Sequence, residues 1–262
     1  MSQIYTKIIL GVFLTSALLL TSCHSARHAA KAKYQINKVE GKMISIDSRW
    51  DMNPDEKAVA ILKPYKEKID QMMYEVIGVS DTIMEKGAPE SLLSNLVAEV
   101  LRQGAGHVLG KPADVGIINM GGLRNILPQG DITVGTVFEI LPFENSLCVL
   151  TMKGVDMKHL IEALASVRGE GLSGIRMEIT KEGKLLSATI GGNPIEDDRL
   201  YTVGTIDYLA DGNSRMNAFL QAVKRECPDG ETLRKLFLDY VRKQTAAGKT
   251  ISSRLDGRVM VK

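Results

Sequence analysis

Cysteine and histidine are scarce in this chain, which has three cysteines and four histidines among 262 residues. A disulfide framework of the kind that holds small secreted domains together needs more cysteines than this. A metallohydrolase centre needs clustered histidine and acidic ligands at defined spacing. His24 and His28 fall near the N-terminus, while His107 and His159 are far from any Asp-x-His or Asn-His pair. The sequence therefore predicts neither a disulfide framework nor a metal site.

Aromatic residues and an excess of one charge are also lacking. Only 5% of the residues are aromatic, and 33 basic residues nearly balance 31 acidic ones, for a net charge of +2. This balance argues against a polycationic face for a nucleic-acid polymer. A charged ligand would have to be bound by local groups. The hydrophobic content of 44% is enough for one substantial core.

Two cysteines, Cys148 and Cys227, lie beyond the N-terminal region. Cys148 stands in an apolar run, so we expect it to be buried. A bridge to Cys227 is the alternative in an oxidising compartment, but the sequence does not place the two residues within reach of each other. Their redox state stays open at this point.

The N-terminus has the pattern of an export signal. Lys7 precedes an apolar run over residues 8–20 that is shorter than the roughly 20 residues needed to span a bilayer. The run ends in Leu-Thr-Ser-Cys at Cys23, which resembles the bacterial lipobox, where the signal is cut before an acylated cysteine. The prediction is a signal peptide over residues 1–22, lipidation of Cys23, and a tether and short segment over residues 23–54. The alternative is a cytosolic chain with an apolar N-terminal helix.

Beyond this region the hydrophobic spacing predicts a mixed α+β domain over residues 55–262. A brief strand is expected at residues 43–46, a long amphipathic helix at about 55–77, and a second helix at 91–103 that stops before Gly104 and Gly106. Later strands and helices are interspersed without regular alternation. This pattern favours a mixed β-sheet with flanking helices over a doubly wound sheet.

A glycine turn followed by an arginine is the main chemical signal. Asn119-Met120-Gly121-Gly122-Leu123-Arg124 follows the apolar run 115–118. Glycines let a backbone approach a ligand closely, and an arginine offers a bidentate fork to phosphate. The glycines of residues 104–111 do not form a phosphate loop, because their spacing is wrong and Pro112 stands where Ser or Thr is needed.

Read with its neighbours, this segment resembles the C-terminal domain of the 5'-nucleotidase family. The resemblance covers roughly residues 55 to 262 in the same order. Its segments are Glu90 to Leu96, Asn119 to Arg124, Gly130 to Gly135, Leu141 to Asn145, Leu150 to Gly154, Ser173-Gly174, Tyr201 to Gly212 and Asp256-Gly257-Arg258. It implies the fold of that domain, preceded by a long linker helix.

The resemblance also implies roles for particular residues. Arg124 would pair with the substrate phosphate, beside Gly121 and Gly122, and Asn119 would bond the base. Phe143 and Tyr208 would sandwich the base, with Asn145 beside Phe143; such stacking is worth roughly 1 to 3 kcal/mol per base. Two departures affect this assignment. Tyr208 replaces the usual phenylalanine, and Ser214 replaces the aspartate that holds the ribose hydroxyls, so ribose recognition would depend on Asp211.

In the family, a separate N-terminal metallophosphatase domain carries two metal ions. No room for it exists before residue 55, so we expect no catalytic residue and no cofactor in this chain, with the divalent metal on a partner subunit. The first hypothesis is the nucleotide-binding half of a split 5'-nucleotidase, anchored to a membrane outside the cytoplasm. The alternatives are a non-catalytic nucleoside-binding or protein-docking lipoprotein, and a hydrolase active on its own.

Overall fold

The computed structural model describes residues 36–262, and the predicted signal peptide and Cys23 lie outside them. The chain divides into two compact units, with the boundary between Asp55 and Glu56. In the first unit the strand predicted at residues 43–46 is absent, so that prediction was wrong. The only helical turn described there is Ser48–Trp50, which the Asp47 carboxylate caps by accepting from the backbone N–H of Arg49. The apolar side chains of Met43 and Ile46 are almost fully exposed and give a strand nothing to pack against.

The second unit contains six α-helices. They are α1 (Glu56–Met73), α2 (Leu92–Leu109), α3 (Val134–Ile140), α4 (Gly154–Ser166), α5 (Asp207–Ala210) and α6 (Leu233–Ala246). Short 3-10 helices span Met120–Gly122 and Asn217–Gln221. In the described part of the chain, every helix is too short or too polar to cross a bilayer.

Eleven strands of the described chain form three sheets. The strands are β1 (Val76–Ser80), β2 (Val115–Ile118), β3 (Gly130–Thr133), β4 (Leu147–Lys153), β5 (Gly171–Ser173), β6 (Ile175–Ile179), β7 (Leu185–Ile190), β8 (Asn193–Pro194), β9 (Leu200–Ile206), β10 (Lys224–Glu226) and β11 (Val259–Val261). A five-stranded sheet has the order β10-β4-β9-β2-β5, a four-stranded sheet has the order β11-β6-β7-β8, and β1 pairs with β3.

Helix α2 covers the five-stranded sheet at two adjacent glycines. Gly116 of β2 and Gly204 of β9 are register partners. A Cβ at Gly116 would lie 2.2 Å from the carbonyl oxygen of Ala98, and one at Gly204 would lie 2.7 Å from that of Leu101. The helix backbone therefore lies closer to the sheet than any side chain would allow.

Two predicted helix ends were wrong. The second helix continues through Gly104 to Leu109, because that glycine lies under α6, where a Cβ would approach Leu236 to 2.8 Å. It ends instead at Gly110, which adopts a left-handed φ of 65°. Helix α1 stops at Met73 rather than near residue 77, since β1 begins at Val76 and pairs with β3.

Helix α1 has an apolar face that stays exposed. Its described side chains include no buried residue, although apolar residues recur at helical spacing. Those with the largest exposed fractions are Val59, Ile61, Leu62, Tyr65, Ile69 and Met72. Its last turn lies against α3, where a Cβ at Gly135 would approach the carbonyl oxygen of Met73 to 3.0 Å.

Candidate functional site

One edge of the five-stranded sheet gathers the segments predicted to bind a ligand. Strands β2 and β9 run parallel and both end at this edge, whereas β4 runs antiparallel to β9 and begins there. Leu147 at the start of β4 pairs with Ile206 at the end of β9. Segment 119–124 therefore follows β2, segment 143–145 precedes β4, and Tyr208 follows β9 at a common edge. The backbone N–H of Asp207 donates to the carbonyl of Ser146 at 2.9 Å and joins the last two segments.

The glycine turn after β2 wraps around the side chain of Asn119. A Cβ on Gly121 would lie 3.4 Å from Nδ2 of that residue, and one on Gly122 would lie 3.3 Å from its Oδ1. Asn119 is 9% exposed. Its Oδ1 is buried and accepts no hydrogen bond from the described residues. A buried acceptor of this kind costs free energy unless a donor reaches it.

Arg124 lies on the exposed end of this turn, beside Phe143. Its backbone N–H donates to the carbonyl of Ile140 at 2.9 Å, and one guanidinium nitrogen donates to the carbonyl of Gly121 at 3.2 Å. The guanidinium carbon lies 5.8 Å from the centre of the Phe143 ring, which is 47% exposed. This distance is within the range of a cation–π contact. An anion-binding group and an open aromatic face thus adjoin each other.

Glu170, immediately before β5, supports the glycine turn through a hydrogen bond to its backbone. Its carboxylate accepts a hydrogen bond from the backbone N–H of Met120 at 2.5 Å. Burial raises the pKa of this carboxyl group, and the hydrogen bond from Met120 opposes that rise. The hydrogen bond from Met120 therefore stabilises the turn, while the burial of the carboxylate opposes its ionisation.

The loop that carries Phe143 is held by Arg234 of α6. This buried guanidinium donates to the carbonyl of Leu141 at 2.8 Å and to that of Pro142 at 2.9 Å, and it also bonds the carboxylate of Glu144. Its carbon lies 4.1 Å from the centre of the Phe138 ring. One side chain thus holds the backbone before Phe143 and the side chain of the residue after it. Asn145, half-buried, adds a further tie to α6 because its carbonyl accepts from the N–H of Leu233.

The segment after β9 carries the remaining predicted residues. Tyr208 is 44% exposed, and its carbonyl accepts a hydrogen bond from the side chain of Asn213. Its ring makes no contact with the ring of Phe143 in the described chain. Ser214 has a φ of 56°, a left-handed conformation that a serine adopts at some cost. Asp211 forms an ion pair with Arg225 at 2.7 Å.

A disulfide joins Cys148 of β4 to Cys227, just after β10. It is the alternative that the sequence left open, and its partners are 79 residues apart. Arg225 lies against it, with guanidinium nitrogens 3.3 Å from the sulfur of Cys227 and 3.9 Å from that of Cys148. The bridge therefore ties the edge strand that carries Arg225 to β4.

A metal centre does not fit the described part of the chain. Among residues 36–262 there is no group of three or more histidine, cysteine, aspartate or glutamate side chains placed to hold a metal ion.

Comparison with known families gives a match to the 5'-nucleotidase, C-terminal domain over residues 76–221. The chain belongs to this family. The resemblance and the α+β fold predicted from the sequence are thus confirmed.

Individual relatives match most of this chain. The cell wall protein Lmo0130 of Listeria monocytogenes is 29% identical over 265 residues, which cover 87% of this chain and 33% of that protein. The trifunctional nucleotide phosphoesterase protein YfkN of Bacillus subtilis is 26% identical over 249 residues, covering 87% of this chain and 16% of that protein. The chain thus spans about a third or less of the length of these relatives.

A solved structure shows the same fold. The crystal structure of a 5'-nucleotidase precursor from Thermus thermophilus matches with a TM-score of 0.67 and 24% identity, covering 78% of this chain and 43% of that one. At this level of identity the likeness concerns the architecture. The roles of the individual site residues stay predictions.

Three further residues of the site were missed by sequence reasoning. Glu170, Arg225 and Arg234 each lie at least 14 residues from the segment they support. None of them stands in a motif, and isolated charged residues are usually solvated. Only the strand order brings them to the edge.

Proposed function

We propose that this 5'-nucleotidase C-terminal domain binds a nucleoside or nucleotide and serves as the substrate-binding half of a split 5'-nucleotidase. In this proposal a separate metallophosphatase supplies the metal ions and cleaves the phosphoester. The observation that carries it is the guanidinium of Arg124 at 5.8 Å from the open ring of Phe143. A base stacked on the ring would bring its phosphate near the arginine.

Two further features support a base at this edge. The exposed ring of Tyr208 supplies a second aromatic face. The buried Oδ1 of Asn119 is an acceptor in need of a donor, which an exocyclic amino group of a base would provide. Asp211 is held by Arg225, so ribose hydroxyls would meet an ion pair and the hydroxyl of Ser214 rather than a free carboxylate.

Isothermal titration with adenosine and AMP tests the binding role. Phe143→Ala should weaken both ligands about 5- to 150-fold, because stacking is worth roughly 1 to 3 kcal/mol per base. Arg124→Ala should weaken AMP about tenfold or more and leave adenosine nearly unchanged, since only AMP carries the phosphate. Tyr65→Ala, an exposed aromatic on α1, is the matched control. No binding by the unaltered protein, or no loss in either site variant, would sink the proposal.

The exposed apolar face of α1 supports contact with a partner subunit. Leu62 lies on this face, and Gln71 lies on the opposite face of the same helix, where both are exposed. Leu62→Asp should reduce AMP hydrolysis by a pair reconstituted with a separately encoded metallophosphatase, while Gln71→Asp should not. Adenosine binding should be the same in both variants. Equal hydrolysis by the Leu62→Asp and Gln71→Asp variants would show that this face does not contact the partner.

Export and a lipid anchor at Cys23 complete the proposal. Its support is the lipobox-like ending of the N-terminal run, the disulfide, which forms in oxidising compartments, and the cell wall location in the name of the Listeria relative. An anchor would raise the effective concentration of a similarly anchored partner. Cys23→Ala should move the protein from the membrane to the soluble fraction and reduce partner-dependent hydrolysis more than nucleotide binding. Membrane retention of this variant would refute lipidation at Cys23.

A further inference from the structure

A cavity of about 620 Å³ lies beside the edge strand β5 and shares no lining residue with the candidate nucleotide site. Its walls come from α2, from β5 and β6, from the turn after β7, from Tyr240 of α6, and from residues 252–258 near the C-terminus. Its volume falls within the range of small-molecule sites. The charged residues of its lining are Glu99, Arg102, Arg176, Arg254, Asp256 and Arg258.

The carboxylate of Asp256 is already neutralised. One of its oxygens accepts from Nε of Arg258 at 2.9 Å, and the other lies 3.4 Å from a terminal nitrogen of Arg176. Arg258 is largely buried and also donates to the backbone carbonyls of Asn95 and Leu172. Arg176 and Arg258 are thus paired within the protein, unlike the other two arginines of the lining.

Arg102 and Arg254 keep donors that nothing in the described chain uses. Nε of Arg102 donates to the carbonyl of Ala113 at 2.9 Å, while neither of its terminal nitrogens has an acceptor among residues 36–262. The guanidinium of Arg254 makes no hydrogen bond to the described chain, although its backbone carbonyl accepts from the side chain of Asn95. Four arginines against two carboxylates leave the lining with a formal excess of two positive charges.

The walls of the cavity are fixed rather than loose. The carboxylate of Glu90 accepts hydrogen bonds from the backbone N–H groups of Asp256 and Arg258, each at 3.0 Å, and from the side chain of Asn95 at 2.7 Å. The C-terminal segment is thereby fastened to α2. The remaining carboxylate of the lining, that of Glu99, accepts a hydrogen bond from the hydroxyl of Ser173 at 2.5 Å.

We propose that this cavity is a second binding site, for a small molecule that carries a phosphate group. Arg102 reaches it from α2 and Arg254 from the C-terminal segment, so donors arrive from different directions. A tetrahedral phosphate accepts hydrogen bonds from several directions, whereas a carboxylate presents two oxygens in one plane. The proposal concerns a different part of the fold from the nucleotide site and stands whether or not that site binds nucleotides.

Titration calorimetry with inorganic phosphate tests the proposal, on the full chain carrying Arg124→Ala so that the nucleotide site contributes no phosphate contact. Phosphate should bind, and added NaCl should weaken the binding. Arg254→Gln should weaken it about tenfold, since a hydrogen bond to a charged group is lost. Lys181→Gln removes the same charge from an exposed turn outside the cavity and should have no effect.

Three results would overturn the proposal. They are no phosphate binding at millimolar concentration, equal binding by the Arg254→Gln and Lys181→Gln variants, and acetate binding as tight as phosphate binding. Arg102→Gln gives a second measurement and should also weaken phosphate about tenfold. Arg254 is exposed and its guanidinium makes no hydrogen bond to the described chain, so Arg254→Gln should fold normally. Its result therefore decides the test even if Arg102→Gln fails to fold.

Discussion

Replacing Arg234 by methionine tests whether the Phe143 loop depends on one buried guanidinium. The residue is 7% exposed, and its side chain makes three hydrogen bonds, to two carbonyls and the carboxylate of Glu144. Methionine has a similar length and fills much of the same space without any donor. The substitution therefore removes the bonds while leaving most of the packing in place.

The expected loss of stability depends on whether water can replace Arg234 as the donor to each of its partners. Leu141 is buried, so its carbonyl is left without a donor at a cost of about 1 to 3 kcal/mol. The contact with Phe138 contributes about 0.5 to 2 kcal/mol. Pro142 and Glu144 are exposed, so water replaces their lost bonds at little cost. We expect the free energy of unfolding to fall by about 3 kcal/mol.

Urea unfolding measures this loss, with Lys235→Met as the matched control. Lys235 is the next residue of the same helix, and its ion pairs with Glu231 and Asp239 lie on the surface, so its replacement should cost less than about 0.5 kcal/mol. Below the unfolding transition, Arg234→Met should also weaken adenosine binding, because the loop that carries Phe143 is released. Equal unfolding midpoints and slopes for the two variants would refute the reasoning.

Two other predictions concern groups around the same edge. The pKa of Glu170 is raised in the folded state, which therefore favours the protonated carboxyl group. As the pH rises above the unfolded pKa of about 4.3, ionisation of this group lowers the free energy of unfolding. Glu170→Gln should therefore match or exceed the stability of the unaltered protein at pH 7 and lose that advantage below about pH 4; lower stability at pH 7 would contradict this. Reduction of Cys148–Cys227 should weaken AMP binding in the native protein, because it frees the strand whose Arg225 holds Asp211; unchanged affinity after verified reduction would contradict it.

Helical periodicity located the long helices but not their ends. The spacing of Leu96, Val97 and Val100 marks the buried face of α2, and the structure buries all three. Gly104 looks like a helix stop in the sequence, whereas in the fold it makes room for Leu236 of α6. The sequence does not distinguish a glycine required for close packing from a glycine that ends a helix. Only the tertiary contact does.

The candidate site was predictable where its residues stand in motifs, and not where they act across the sheet. Asn119 to Arg124 form one continuous segment, so the sequence displays them together. Arg234 is 93 residues from the Leu141 carbonyl that it holds. The bridge between Cys148 and Cys227 depends in the same way on β10 pairing with β4. Such long-range partners follow from strand order, which local patterns do not encode.

Phe143 and Tyr208 come to the same edge because of the register between two strands. Phe143 precedes β4 and Tyr208 follows β9, and these strands pair over seven residues from Leu147↔Ile206 to Lys153↔Leu200. A slip of one residue would turn the side chains of one strand to the opposite face, so burial of this sheet fixes the register. Gly204, within β9, fixes it further, since α2 packs directly on its backbone. Core packing thus fixes the strand ends from which the loops of Phe143 and Tyr208 start, and the rest of their placement depends on the loops themselves.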